Sequence, residues 1–106
     1  MTEHDLQNSI RLELSRRGFA VFRTNVGKVR MPDGRVFDTG LPVGFSDLLA
    51  VRDGRAYFIE VKVYPNKPSE KQVNFIKQMH DLYGCRAGVA YSVDDAIAIV
   101  CGGDLE

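Results

Sequence analysis

The sequence carries no net charge: 14 lysines and arginines offset 14 aspartates and glutamates over 106 residues. Bulk electrostatics therefore gives no pointer to nucleic acid, although neutrality does not exclude an enzyme that must release a charged product. Cysteine is scarce. Cys85 and Cys101 show no metal-ligand spacing, which argues against a zinc module and reads as free thiols in a reducing compartment. No apolar run approaches the length needed to span a bilayer and no signal-peptide pattern opens the chain, so no membrane association and a cytoplasmic location are expected. Internal repeats, low-complexity stretches and linkers are missing too. One domain over residues 1–106 is therefore expected. Glycine-rich phosphate fingerprints are absent, since Gly40, Gly44, Gly84 and Gly88 fit turns. His4 and His80 lie far apart and read as surface or helix-end residues. No Ser-His-Asp or Cys-His arrangement can be assembled.

What the chain has is periodicity. Thr2 is placed to cap a helix running to about Arg17, with Leu6, Ile10 and Leu14 on its buried stripe and Gly18 at its end. Phe19 to Thr24 reads as a strand, and Val29 to Phe37 as a small exposed hairpin around Pro32-Asp33-Gly34. Thr39 to Ser46 holds three turn formers and is expected to be loop. Asp47 to Arg52 and Arg55 to Val63 flank Asp53-Gly54, a strong hairpin signal. Ser69 can cap a helix to Tyr83 that stops at Gly84. A strand over Arg86 to Tyr91 and a helix from Ser92 through Val100 complete the order α-β-(hairpin)-β-β-α-β-α. The class is α/β, a central mixed β-sheet flanked by helices.

The Asp-Gly hairpin turns sequence into geometry. A two-residue loop sets Arg52 opposite Arg55, and counting outward sets Asp47 opposite Glu60. Opposed Cβ atoms lie roughly 4.5–5.5 Å apart, and like charges so placed destabilise a sheet. Lys62 shares the face of Glu60 because side chains alternate. Two carboxylates and an ammonium thus converge within strands whose other residues, Leu48 to Val51 and Ala56 to Ile59, are apolar on both faces, the mark of a covered central sheet. An oxygen-only pair of this kind suits Mg²⁺ or Mn²⁺, and such an ion would polarise a phosphoryl oxygen. Lys62 is placed to orient water or to stabilise charge on phosphate. The plainer alternative is a surface hairpin with an ordinary Glu–Lys pair.

Further candidates surround this trio. Glu13 lies on the first helix's stripe and is expected to face inward, with a pairing to Arg17 four residues on as the competing reading. Gln72 forms a capping box with Ser69 yet also heads the inward row of Phe75, Ile76 and Met79. Between Arg11 and Arg35 seven basic residues face two acidic ones, and Arg17, Arg23, Lys28 and Arg30 are candidates for phosphate contacts, with a solvated face as the alternative. Tyr57, Tyr64, Tyr83 and Tyr91 read as core or rim residues rather than a base-stacking platform.

Gly44-Phe45-Ser46-Asp47-Leu48-Leu49 followed by Phe58-Ile59-Glu60-Val61-Lys62 resembles the VRR-NUC branch of the PD-(D/E)XK nuclease superfamily. The helix carrying Glu13, the Arg-Thr-Asn strand ending at Asn25 and the Ser69-Glu70-Lys71-Gln72 helix start resemble the same family, so the likeness runs from about Glu3 to Val100. It implies a restriction-endonuclease-like core. It also implies that Asp47, Glu60 and the Val61 carbonyl hold the metal, that Lys62 serves the catalytic water, and that Glu13 and Gln72 are the helix-borne members of the site. Ser46 stands where the family usually has proline. Stand-alone members of this size are similar to phage-encoded homodimers that resemble Holliday-junction resolvases. The function so implied is metal-dependent cleavage of DNA, with branched DNA as the favoured substrate. A catalytically silent binding module of the same fold, or a nuclease for structured RNA, is the alternative.

Overall fold

The structure, a computed structural model, describes residues 1–24 and 26–102. The expected strand end at Asn25 lies outside the described residues. The elements are α1 (Glu3–Arg16), β1 (Ala20–Arg23), β2 (Lys28–Arg30), β3 (Val36–Asp38), β4 (Leu48–Arg52), β5 (Arg55–Val61), α2 (Glu70–Tyr83), β6 (Arg86–Ala90) and α3 (Val93–Cys101). Helix starts follow their caps. The Thr2, Ser69 and Ser92 side chains accept from the third residue of α1, α2 and α3, and Thr2 and Ser69 form reciprocal capping boxes. Gly84 ends α2 in the left-handed conformation, where a side chain would be strained.

The main sheet has the order β1-β4-β5-β6. β1–β4 and β4–β5 are antiparallel and β5–β6 is parallel, so the sheet is mixed. Asp53 and Gly54 both take positive φ, 54° and 76°, as the tightest hairpin turn requires. That turn sets the register Arg52↔Arg55 through Leu48↔Ile59. β2 and β3 pair only with each other, and no helix or main-sheet strand packs extensively on them among the described residues. Val29, Met31, Val36 and Phe37 stay exposed on this ribbon.

The two faces of the main sheet are unequal. One carries Leu48, Ala50, Tyr57, Ile59, Val61 and Ala90, packed against Leu6, Ile10 and Leu14 of α1 and Ala96 and Val100 of α3. The other carries Phe58 and Glu60; Phe58 is covered by Phe45 and by Phe75 of α2, which meet it edge-on and each other at a tilt. No residue of α2 is fully buried. Both faces are thus covered, but the second only thinly, and Asp47 and Glu60 belong to that thin face.

Gly44 joins this thin layer to the strand that follows it. It has a φ of +102°, and a Cβ added there would stand 2.8 Å from the Lys71 carbonyl oxygen. The loop before Asp47 is thereby held against the first turn of α2. Gly34 has a φ of +90° but open space around it. Gly44→Ala is expected to cost about 2–3 kcal/mol and Gly34→Ala about 1 kcal/mol, because only the first adds a backbone collision to the strain of positive φ. Urea unfolding of both variants measures the difference, and equal costs would show that the loop–helix contact is not the constraint.

Candidate active site

Asp47 and Glu60 stand one step beyond the last paired residues of β4 and β5, Leu48↔Ile59. The backbone ladder ends there and the Asp47 side chain continues it: the Val61 N–H donates to Asp47 Oδ2 at 2.9 Å. The strand entry is held from the other side as well. The Thr24 N–H donates to the Asp47 carbonyl at 2.9 Å, and the Thr24 hydroxyl donates to the Ser46 carbonyl. Ser46 itself is buried and its hydroxyl has no hydrogen-bond partner.

Glu60 is only 1% exposed. Its Oε2 lies 3.7 Å from the Lys62 ammonium, an ion pair too long for a good hydrogen bond, and its Oε1 is buried with no partner. Burial first, then the Asp47 charge and a hydrogen bond with Asp47, push the Glu60 carboxyl up to about 8; Lys62 pulls it back, and Glu3 adds repulsion. The sequence-derived trio is therefore assembled as expected. A buried acid with an unsatisfied oxygen beside a second acid is unstable as an anion and suited to receiving a cation.

Glu3 is a member that sequence reasoning missed. It opens α1, and its Oε2 accepts from the Asn66 amide at 3.3 Å, in the loop after β5. This contact sets the start of α1 at the same end of the sheet as Lys62. Glu13, by contrast, does not reach the cluster. It lies ten residues on from Glu3, about 15 Å along a helix. Both its oxygens are taken, by Arg16 at 3.1 Å and Arg17 at 2.9 Å. The neighbouring Arg17 carbonyl accepts from Arg52 at 2.9 Å, beside the Asp53-Gly54 turn, which is the far end of the hairpin. The expectation of Glu13 in the acidic site is corrected on that ground.

Gln72 completes the capping box, its side-chain oxygen accepting from the Ser69 N–H at 2.8 Å. The basic run does not form one patch. Arg17 is tied to Glu13 at the far end, Arg23 donates to Asn8 at 2.8 Å, and Arg35 pairs with Asp33 at 2.7 Å. Lys28 and Arg30 remain exposed on the β2–β3 ribbon and make no ion pair among the described residues. Cys85 and Cys101 are free and half-buried. A cavity of about 600 Å³ is lined by Gly54, Arg55, Tyr83 and Arg86 among others and lies at the far end of the hairpin, away from the acids.

Among the described residues no three His, Cys, Asp or Glu side chains converge. A cation at Asp47 and Glu60 would thus draw on two carboxylates, main-chain oxygen and water, and Glu3 acts at longer range. Among the described residues no helix is long and apolar enough to cross a membrane.

A mixed sheet flanked by helices, with the acidic pair at the open end of its central hairpin, is a restriction-endonuclease-like architecture. Comparison with solved structures makes this specific: the fold is that of a structure described as "VRR_NUC domain", with a TM-score of 0.66 and 20% identity over 94% of this chain and 96% of that one. At that identity the likeness is one of fold. No family model matches the sequence, and no curated protein matches it.

The raised Glu60 carboxyl predicts how metal-free stability depends on pH. The folded state keeps this proton up to about pH 8, whereas the unfolded chain loses it near the ordinary value of 4.5. The folded form therefore holds more protons in between, so stability is fullest below that window and falls as pH rises through it. Glu60→Gln is expected to flatten this slope and to stabilise the metal-free protein at pH 8 by on the order of a few kcal/mol. Thermal and urea unfolding between pH 4.5 and 8.5 in chelator checks it; parallel slopes for the two proteins would remove Glu60 as the cause.

Proposed function

We propose that residues 1–106 form one nuclease domain, a divalent-metal-dependent endonuclease that hydrolyses DNA phosphodiester bonds and prefers branched or junction DNA. The observation that carries this reading is the buried Glu60 carboxylate, one oxygen unpartnered, beside Asp47 and Lys62 on the thin face of the sheet. Such an arrangement burdens the fold and fits a site that takes up a cation.

Asp47 and Glu60, with the main-chain oxygen of Val61, would hold Mg²⁺ or Mn²⁺. When bound, the ion supplies Lewis acidity toward a phosphoryl oxygen and makes a water easier to deprotonate. Lys62 donates hydrogen bonds to the attacking water or to the phosphate oxygen that gains charge. Asp47, anchored by the Val61 N–H, keeps its position while Glu60 changes protonation. Glu3 adds negative potential at the rim and is the helix-borne acid of the site. Gln72 stiffens the start of α2 and orients a ligand or phosphate with its remaining amide. Lys28 and Arg30 contact the phosphates of DNA lying across the β2–β3 ribbon. On this reading the enzyme is a homodimer, phage-type in build, that works on DNA in the cytoplasm. The open edge of β1 with its exposed Phe22 is compatible with pairing of two copies.

Lys62→Ala is expected to lower cleavage by about two to three orders of magnitude, the range for losing a transition-state donor, while thermal unfolding stays close to wild type. Asp47→Ala is expected to abolish cleavage. Adding millimolar Mg²⁺ or Mn²⁺ at pH 7 should raise the melting temperature of wild type and not of Asp47→Ala, because only the native site binds the ion. A panel of linear, flap, splayed and four-way DNA, with matched RNA, measures substrate choice. Full activity of Lys62→Ala, or cleavage in chelator equal to that with metal, would overturn the reading.

A further inference from the structure

Tyr64 is 84% exposed, the most open aromatic side chain in the described protein. Its ring is nonetheless placed. It lies against Tyr91 with ring centroids 5.1 Å apart and planes tilted by 39°. Tyr91 is held in turn, because its hydroxyl donates to the Asn66 carbonyl at 3.0 Å. The Asn66 amide donates to Glu3, which closes a chain of contacts back to α1.

This pair sits beside the acidic cluster. Tyr64 follows Lys62 by two residues, so their Cα atoms are within about 7 Å of each other. Tyr91 follows Ala90, whose carbonyl accepts from the Lys62 N–H at 3.1 Å. One side of the Tyr64 ring rests on Tyr91 and the rest faces solvent. Exposed tyrosine of this kind contributes little to folding, yet its order is paid for by neighbours, which lowers the entropic cost of stacking something on it. Lys67, in the same loop, is exposed and makes no ion pair among the described residues, so a phosphate-bearing ligand meets positive charge there.

We propose that Tyr64, braced by Tyr91, is a stacking platform for an unpaired nucleobase of the strand that lies across Asp47, Glu60 and Lys62. The inference rests on the nuclease reading and deepens it. A base inside a duplex already stacks on both sides and has no free face for Tyr64, whereas a base at a branch point, flap or splayed end does. Base–aromatic stacking is worth about 1–3 kcal/mol per base and is tolerant of sequence. The platform therefore selects for DNA structure rather than base identity, and it gives a task to two of the tyrosines that read from the sequence as core or rim residues.

The chain has no tryptophan, so Tyr64→Trp creates a single reporter at the site. In chelator, where no cleavage occurs, its emission is expected to be quenched by a single-stranded octanucleotide. A relaxed, covalently closed circular duplex, which has no terminal base pair, and an octamer of abasic sugar-phosphates should leave it unchanged. With metal, Tyr64→Ala is expected to raise KM for a splayed substrate at least fivefold with kcat retained, and Tyr64→Phe to keep the wild-type KM. Equal quenching by the abasic strand would mean a phosphate contact instead of stacking and would overturn the proposal, as would no quenching or an unchanged KM in Tyr64→Ala. Wild type that cuts DNA normally while these tests fail sinks the platform and leaves the nuclease. Base-dependent quenching in a protein that cuts nothing sinks the nuclease and keeps the platform.

Discussion

Two carboxylates share the open end of one hairpin, and one of them is buried. Coulomb repulsion and desolvation both oppose ionising Glu60, and the Lys62 ammonium at 3.7 Å offsets only part of this. The fold tolerates the conflict because everything around it is held firmly. The Asp53-Gly54 turn sets the register, the Val61 N–H holds the Asp47 side chain, and Thr24 holds the carbonyls of Ser46 and Asp47. A looser frame would let the two acids swing apart into water. The rigid frame keeps them opposed and leaves protonation or a cation as the means of relief.

The unequal faces of the sheet divide the work. The α1/α3 face contains the continuous core, with Ile10, Leu14, Leu48, Ile59 and Val61 essentially inaccessible to water. That face supplies the stability that the strained end of the hairpin consumes. The α2 face is a single layer of aromatic rings, Phe45, Phe58 and Phe75, and it lets the acids lie close to solvent without being displayed on the surface. Helix α1 spans the sheet from Glu3, at the acidic end, to Arg17, beside the turn. It therefore ties the two ends of the hairpin together while bringing an acid, Glu3, toward the cluster at only one; Glu13 at the other is held by Arg16 and Arg17.

Much of this was legible in the sequence, for local reasons. A two-residue Asp-Gly turn leaves one register, so the opposition of Asp47 and Glu60 follows by counting, and the serine and threonine caps mark each helix start to within a residue. What was not legible depends on how elements pack. Helical periodicity tells which face Glu13 shares but not which end of α1 meets the cluster, and the direction of α1 across the sheet makes Glu3 the near acid. The basic run from Arg11 to Arg35 reads as one cluster along the chain, yet Arg16, Arg17, Arg23 and Arg35 each find a partner close by. Gln72 could be read as a cap or as an inward residue, and the cap is what its oxygen makes. The thinness of the α2 layer has no local signature either, because Phe75 and Ile76 look like core residues at helical spacing.

The placement of the exposed groups gives the arrangement its logic. Asp47, Glu60 and Lys62 are carried on or beside paired strands, where backbone hydrogen bonds limit their movement to fractions of what a loop allows. Tyr64, Asn66 and Lys67 lie on the loop between β5 and α2, and Lys28 and Arg30 on a ribbon that stands off the body. On the nuclease reading, the groups that would act on any phosphodiester are thus fixed, and those that would sense the form of the strand sit on segments that tolerate sequence change without disturbing the core. On the proposed reading, selection of DNA structure would reside in exposed rings and cations and hydrolysis in a buried electrostatic conflict, so the two would be separable in this fold.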